Sequence, residues 1–147
     1  MESDQKQASY NRRVRVAYVL HRSWGQLAAA LAKTVAPLGV SVAEYTVMSM
    51  LSSRRCDTAA EIGRQMCYSP AAMTRMLDRL ECKRMVRRLP HPTSRRAHML
   101  ELTEEGWKVF PHLHAAVANG IEHVMGDFDC EDLNRLEALL DRMQADT

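Results

Sequence analysis

The chain has 147 residues, a length typical of one domain, and its 46% hydrophobic and 26% charged residues are ordinary for a globular protein. It has no run of about 18 apolar residues, which a transmembrane helix would need. Its polar start, MESDQKQASYNRR, lacks the apolar stretch of a secretory signal. We therefore expect a cytoplasmic protein. The four cysteines are too few and too scattered for a disulfide framework.

The net charge of +2 conceals an uneven distribution of charge along the chain. Residues 54–98 contain eleven Lys or Arg and four Asp or Glu, a balance of +7, whereas the rest of the chain has a balance of −5. A basic block in an otherwise acidic protein is typical of a surface that binds a polyanion. A solvated face with interspersed ion pairs would have the same composition. The charge therefore favours nucleic-acid binding without deciding it.

Apolar side chains at three- and four-residue spacing predict a long first helix over residues 10–36, which Pro37 ends. Its apolar positions extend beyond one face, which indicates packing on two sides. Ser41 and Glu44 have the spacing of a capping box, in which the serine oxygen accepts from a backbone N–H and the glutamate reaches back to the cap. They predict a second helix that runs to about Ser53.

A pair of shorter helices is predicted next. Thr58 and Glu61 repeat the capping-box pattern and begin a short helix. Ser69 followed by Pro70 suits the start of another helix, because proline at the first helical position loses no hydrogen bond. This helix extends to about residue 84, with a buried stripe of Met73, Met76, Leu77 and Leu80. Two helices separated by a turn of about three residues predict a helix-turn-helix.

The hydrophobic period then changes from helical to strand-like. Residues 86–89 and 97–102 alternate between apolar and polar side chains, and the basic, proline-containing segment 90–96 separates them. Proline and polar residues do not continue a strand ladder. The three segments therefore predict a β-hairpin with an exposed, basic tip.

The last part of the chain is predicted to be helical. Thr103 is the cap of a helix from Glu104 to about Met125, in which Pro111 should cause a kink or an interruption. Asp129 is the cap of a final helix that extends to about residue 143 and carries Leu133, Leu136, Leu139 and Leu140.

The second helix of the helix-turn-helix presents side chains suited to duplex DNA. Small residues near its N-terminus allow a close approach to base edges, and arginine fits the paired acceptors of guanine or a phosphate. The predicted DNA-contacting residues are Ser69, Ala71, Ala72, Thr74, Arg75 and Arg79 on the helix, Arg87 and Arg88 at the hairpin base, and Arg95 and Arg96 at the hairpin tip.

Ion pairing is an open alternative for two of these arginines. Arg79 and Arg88 lie close in sequence to Asp78 and Glu81. Either arginine alone would be explained by a surface ion pair, which contributes at most about 1 kcal/mol.

In this region the sequence resembles the MarR (multiple antibiotic resistance regulator) family. The resemblance covers residues 38–106 and rests on short motifs in the family's order: Leu38-Gly39-Val40-Ser41, Ala60-Glu61-Ile62-Gly63, Ser69-Pro70, Met73–Leu80, Met85–Arg88, Arg95-Arg96 and Leu102–Gly106. It implies a mainly α, winged helix-turn-helix fold with a small β-hairpin wing, and a homodimer that binds pseudo-palindromic operator DNA. The implied parts are an N-terminal dimerisation helix (1–37), a DNA-binding lobe (38–106) and C-terminal dimerisation helices (107–147).

The sequence departs from the family pattern at the wing and before the short helix. Family wings often carry Asp where this chain has His91 and Ser94, and an acidic residue there would orient the wing arginine. Cys56 and Asp57 stand where the family often has Gly. These differences concern the local geometry of the wing and the turn, not the class of protein.

Many members of the family bind small aromatic acids, so the resemblance implies a repressor that a small aromatic or phenolic ligand releases from DNA. Cationic, imidazole and aromatic side chains would suit such a ligand. The candidates are Tyr18, His21, Arg22, Trp24, Tyr45, Met48, Ser49, Trp107, Phe110 and His114. Burial in a core or an interface would explain the same aromatic pattern.

Other functions stay open beside this one. Cys56, which follows two arginines, and Cys67 are candidates for an oxidation-sensing thiol that would change only the trigger of a DNA-binding regulator. A winged-helix interaction module without DNA binding is a further alternative, against which the +7 segment argues. No motif indicates an enzyme, a cofactor or a metal site, and His114 and His123 are nine residues apart, on different helix faces.

Overall fold

The computed structural model describes residues 2–93 and 98–144, apart from the side chains of residues 2–4. Its elements in chain order are helix α1 (Glu2–Val35), a 3₁₀ turn (Ala36–Leu38), α2 (Val42–Ser52), α3 (Ala59–Gln65), α4 (Pro70–Cys82), strands β1 (Val86–Pro90) and β2 (His98–Leu102), α5 (Glu104–Met125) and α6 (Cys130–Gln144). This architecture confirms the predicted fold class: it is mainly α with a small antiparallel hairpin.

The chain divides into two compact units. We call Ala32–Val117 the winged unit, and Met1–Leu31 together with Ala118–Thr147 the helical unit. The first part of α5 belongs to the winged unit and its last turns to the helical unit. The sequence-based division at residues 37 and 106 stays a prediction of functional parts.

Helix α1 begins at Glu2, eight residues earlier than predicted, and most of its described apolar side chains are exposed up to Trp24. One chain by itself leaves this stretch uncovered, so its expected packing on two sides stays a prediction. No single described helix is both long and apolar enough to span a membrane. Gln5–Leu38 and Val42–Ser52, separated by a bend of 79°, meet those criteria only when taken together.

The hydrophobic core of the winged unit is built by α2, α3, α4, the hairpin and α5. Its buried side chains are Val35, Val40, Val47, Met48, Leu51, Cys56, Ile62, Met73, Met76, Leu77, Leu80, Met85, Val86, Leu100, Leu102, Leu113 and Val117. The predicted stripe of α4 is buried along its whole length. Because that stripe is fixed in the core, the opposite face of α4 is turned to solvent.

The hairpin is joined to the start of the helix-turn-helix. Strand β1 pairs antiparallel with β2 from Val86↔Leu102 to Pro90↔His98. An isolated bridge between Thr58 and Met99 continues the pairing onto the segment before α3, where the Leu100 N–H donates to the Asp57 carbonyl at 2.7 Å. The base of the wing is thereby held against the beginning of α3.

The predicted starts of α2 to α6 are confirmed by their capping hydrogen bonds. At α2 the Glu44 N–H donates to Ser41 Oγ at 3.2 Å, and the Ser41 N–H donates to Glu44 Oε2 at 2.8 Å, so the capping box is complete. At α3 the Thr58 hydroxyl accepts from the Glu61 N–H. The Glu61 carboxylate there accepts from the Thr58 hydroxyl and the Asp57 N–H. Side chains of Ser69, Thr103 and Asp129 cap α4, α5 and α6.

Three helices end on a residue in the left-handed conformation that is not glycine. Arg54, Cys67 and Arg84 follow α2, α3 and α4 with φ of 53°, 54° and 57°. Each takes part in a pair of bonds back to the helix, such as Cys67 N–H to the Arg64 carbonyl at 3.2 Å and Tyr68 N–H to the Gly63 carbonyl at 2.9 Å. This is the Schellman pattern, which normally selects glycine at this position.

Helix α5 starts in close contact with the end of α4. A Cβ on Gly106 would lie 2.1 Å from the Met85 carbonyl oxygen, so only glycine fits there. The same carbonyl accepts from the Thr103 N–H at 3.0 Å. Further along, α5 continues through Pro111 as one helix of 22 residues, so the helix is not interrupted there, and the alternative of a kink stays a prediction. Burial of Leu113 and Val117 on the far side of the proline holds the helical path.

Candidate nucleic-acid interface

The helix-turn-helix is formed by α3, a short turn and α4. Ser69 Oγ accepts from the Ala72 N–H at 3.3 Å, and Pro70 occupies the first turn of α4, as predicted. The Thr74 hydroxyl donates to the Pro70 carbonyl at 2.9 Å, which fixes the side chain of this exposed residue. The start of α4 therefore has fixed geometry.

The outer face of α4 is small at its beginning and cationic one turn later. Ser69, Ala71, Thr74 and Arg75 are exposed, and Ala72 is half-buried. Arg75 has no ion-pair partner among the described residues. Its guanidinium is therefore available to a partner outside the chain, and the neighbouring small side chains leave room for a groove wall to approach.

Arg79 is held by a carboxylate that sequence reasoning missed. Its Nε lies 3.4 Å from Glu44 Oε1, whereas Lys83 Nζ lies 2.8 Å from Glu44 Oε2. The proposed pairing of Arg79 with its sequence neighbours Asp78 and Glu81 is wrong, because both of these bind Arg88 instead. No local signal revealed the contact, since Glu44 and Arg79 are 35 residues apart.

Glu44 is a buried carboxylate, with 2% of its surface exposed. Burial alone would raise its pKa. The hydrogen bonds from Lys83 and the Ser41 N–H, together with the positive charge of Lys83, outweigh that effect and lower the pKa below its usual value. Glu44 is therefore a permanent negative charge near neutral pH, placed against the cations of α4.

The hairpin-base arginines are also paired. Arg88 donates to Asp78, at 2.9 Å, and to Glu81, which confirms the ion-pair alternative for this residue. Arg87 pairs with Glu101, its cross-strand neighbour in the hairpin register. These pairs attach β1 to α4 and to β2, and DNA would have to compete with them.

The tip of the wing lies partly outside the described residues. Arg95 and Arg96, with Ser94, are in this segment, so their predicted role stays a prediction. Before it, the chain bends at Pro92 and Thr93, where the Thr93 N–H donates to His91 Nδ1 at 3.2 Å.

Some of the ligand candidates of the winged unit come together in an aromatic cluster. The Tyr45 hydroxyl lies 2.9 Å from His114 Nδ1. Phe110 stacks on Tyr45 with ring centroids 6.0 Å apart, and Trp107 meets Phe110 edge-on at 6.3 Å. Burial raises the pKa of Tyr45, with an opposing hydrogen bond from Ser49. Met48 is fully buried and belongs to the core.

The remaining candidates occupy other positions. Tyr18, His21, Arg22 and Trp24 are exposed on α1, in the helical unit.

Of the two candidate thiols, Cys56 is buried at 4% exposure, whereas Cys67 is exposed in the turn after α3. The side chain of Cys56 packs in the core, and an oxidation-sensing role of either thiol stays a prediction. Among the described residues, no three His, Cys, Asp or Glu side chains are grouped as a metal site would require.

The fold and this surface define a winged helix-turn-helix protein, with α4 in the recognition-helix position and the hairpin as the wing. The MarR family model matches residues 40–98. Multiple antibiotic resistance protein MarR of Escherichia coli is 29% identical over 110 residues, which are 74% of this chain and 76% of that protein. An HTH-type transcriptional repressor of Mycobacterium bovis is 24% identical, over 89% of this chain and 94% of that protein.

Solved structures agree with these relatives. A cysteine-to-serine mutant of E. coli MarR complexed with operator DNA matches with a TM-score of 0.81 at 25% identity, over 91% of this chain and 96% of that chain. Wild-type E. coli MarR in its apo form matches with a TM-score of 0.72 at 26% identity, over 86% and 94% of the two chains. In sequence and in fold, the chain is similar to the MarR family of transcriptional regulators.

Proposed function

We propose that the protein is a cytoplasmic, homodimeric repressor that binds a pseudo-palindromic operator in duplex DNA. The observation that carries the proposal is the exposed face of α4, where small side chains precede an arginine without a partner among the described residues. A recognition helix places such residues against base edges in the major groove. The operator complex of the related E. coli protein and the repressor name of the mycobacterial relative support this function.

The DNA-contacting set divides by role. Ser69, Ala71, Ala72, Thr74 and Arg75 are the base-reading group, because they share the outer face at the start of α4. The backbone-contacting group comprises Arg87, Arg88, Arg95 and Arg96 of the wing. Because Arg87 and Arg88 are paired with carboxylates of the same chain, they contribute less net attraction to DNA than two free cations would.

Dimerisation through the helical unit accounts for an apolar surface that one chain leaves open. The exposed apolar side chains are Tyr10, Val14, Val16, Tyr18, Val19 and Trp24 on α1, Ile121 and Val124 at the end of α5, Phe128 before α6, and Leu133, Leu139 and Met143 on α6. A patch of this extent on a soluble chain marks an interface. Two copies related by a two-fold axis would present two recognition helices to the two halves of a palindrome.

An aromatic or phenolic acid is the effector class that fits the proposal. The cluster of Tyr45, Trp107, Phe110 and His114 offers ring faces beside a hydroxyl and an imidazole. An effector releases the protein from DNA only if it binds a different conformation more tightly than it binds the DNA-bound conformation.

Selection of duplexes from a random pool tests the function and identifies the operator sequence in the same experiment. We expect enrichment of an inverted repeat with half-sites about one helical turn apart, and an affinity that falls steeply with salt. Arg75→Ala should lose about 1–3 kcal/mol of preference for the selected site over a scrambled duplex. Lys108→Ala, which removes one charge from α5, is the control and should keep the preference. Wild-type protein that enriches no sequence and binds no duplex at low salt would refute the proposal.

A further inference from the structure

Glu44 is the buried charged side chain of the winged unit's described residues, and the function proposed above assigns it no role. It occupies the first turn of α2, an element outside the helix-turn-helix. Transfer of an isolated carboxylate out of water is strongly unfavourable. A carboxylate at 2% exposure therefore persists because its partners are fixed around it.

The partners of Glu44 come from two elements. The Ser41 N–H donates to Oε2 at 2.8 Å and fixes the carboxylate on α2. Lys83 Nζ donates to the same oxygen at 2.8 Å, and Arg79 Nε lies 3.4 Å from Oε1. Arg79 and Lys83 are one turn apart on and just after α4. The carboxylate therefore bridges α2 to the C-terminal half of α4.

This bridge makes the two arginines of α4 different: one is held by Glu44 and the other is not. Arg75, one turn before Arg79, has no ion-pair partner among the described residues, whereas the Arg79 guanidinium is drawn toward α2. Lys83 is the C-cap residue of α4, so its contact also fixes the end of the helix. Rotation of α4 about its axis would break both contacts to Glu44.

We propose that Glu44 is a positioning residue for DNA recognition: its buried carboxylate holds Arg79 and Lys83, fixes the rotation of α4 about its axis and leaves Arg75 as the base-reading arginine. This inference rests on the proposed DNA-binding function. It assigns Arg79 to the positioning of the helix instead of to base reading. It also accounts for an acidic group among the cations of a DNA-binding lobe, since Glu44 neutralises one of the two positive charges of Arg79 and Lys83 before DNA arrives.

Glu44→Gln tests the bridge, because glutamine keeps the size of the side chain and removes its charge. Released cations become available to phosphates, and each adds about 0.9 to the steepness of log K against log salt. We expect the salt dependence to steepen by about 1 to 2, and the preference for the selected site over a scrambled duplex to fall several-fold. A purely structural role would weaken binding to both duplexes and leave the slope unchanged, which would overturn the proposal.

A second substitution isolates the contribution of Arg79. In the Glu44→Gln background, Arg79→Gln removes one released cation and should return the slope by about 0.9 toward that of the wild type. An unchanged slope in the double variant would show that Arg79 was not the released group and would contradict the bridge.

Arg79→Ala in the wild-type background remains informative even if Glu44→Gln fails to fold. Lys83 still holds Glu44 in this variant, so the site preference should fall less than it does in Arg75→Ala, where the base-reading arginine itself is lost. Equal losses for the two arginines would overturn the proposal.

The titration of the wild-type protein separates a failure of the proposed DNA-binding function from a failure of the Glu44 bridge. Absence of wild-type binding refutes the DNA-binding function itself, whereas wild-type binding with the wrong variant behaviour refutes only the bridge.

Discussion

Ion pairs decide which arginines of the basic segment can act on DNA. Residues 54–98 have a balance of +7, but Arg79, Lys83, Arg87 and Arg88 each have a carboxylate within ion-pair distance. Exposed pairs of this kind contribute at most about 1 kcal/mol, so a phosphate can displace them at small cost. The pair with Glu44 differs because the carboxylate is buried. Charge counting alone therefore overstates the number of cations available at this surface.

The buried state of Glu44 predicts an acid-dependent loss of stability. Its pKa is lower in the folded chain than in the unfolded chain, so its contribution is fully present above the unfolded value, about 4.3. It decreases as the pH falls through the lowered folded value. At pH 7, Glu44→Gln should reduce the free energy of unfolding by about 2 kcal/mol. Urea unfolding of both proteins across pH should show this difference shrinking in acid.

The exposed Glu104, paired with Lys108 within α5, offers a matched control for that experiment. Glu104→Gln should change the urea midpoint little at any pH, because both side chains of the pair are in water. A difference between wild type and Glu44→Gln that stays constant from neutral to acid pH would contradict the pKa argument.

The starts of α2, α3 and α4 follow rules that are local in sequence. The proline inside α5 does not follow such a rule. Side-chain caps at Ser41, Thr58 and Ser69 stand where the sequence predicted them, because each cap bonds a backbone group within three residues. The sequence predicted a kink or an interruption at Pro111, and α5 continues through this residue without an interruption. The missing hydrogen bond costs roughly 3 kcal/mol in a helix interior. The buried residues beyond it supply the packing that offsets this cost.

The left-handed end of α3 predicts a stabilising substitution. Cys67 has φ of 54°, a conformation that costs a residue with a Cβ about 1–2 kcal/mol. Cys67→Gly should raise the free energy of unfolding by roughly 0.5–1 kcal/mol, because relief of that cost exceeds the backbone entropy that glycine loses. Urea unfolding in the presence of a reductant measures the change. Cys67→Ala keeps the Cβ and should show no gain; equal gains for both would mean that the thiol, not the backbone, was unfavourable.

At the scale of the whole molecule, the helical unit has a larger apolar surface than a monomer would keep in water. Tyr18 and Trp24 on α1 and Leu139 on α6 are all more than half exposed. Sequence periodicity identified these helices as amphipathic but assigned the apolar residues to packing within the chain or between chains without distinguishing the two. Because so many of these apolar side chains are exposed in one chain, packing between chains is favoured.

A charge placed on this surface should prevent dimerisation. Leu139→Glu brings a carboxylate into the proposed interface twice, once from each copy, and should weaken the dimer by about two orders of magnitude or more. Sedimentation velocity over a range of concentrations measures the change. Asn134→Glu adds the same charge on another face of α6 and should leave the dimer intact. A dimer that tolerates Leu139→Glu would place the interface elsewhere.

The sequence by itself determined the order of the elements, the starts of α2 to α6, the buried stripe of α4 and the resemblance to the MarR family. These features depend on hydrophobic period and on hydrogen bonds between residues that are close in the chain. Only the tertiary structure decided which side chains meet across long separations, such as Glu44 with Arg79, 35 residues apart, and Tyr45 with His114, 69 residues apart. A charge or an aromatic ring has many possible partners in a sequence, and packing of the helices around the core selects among them.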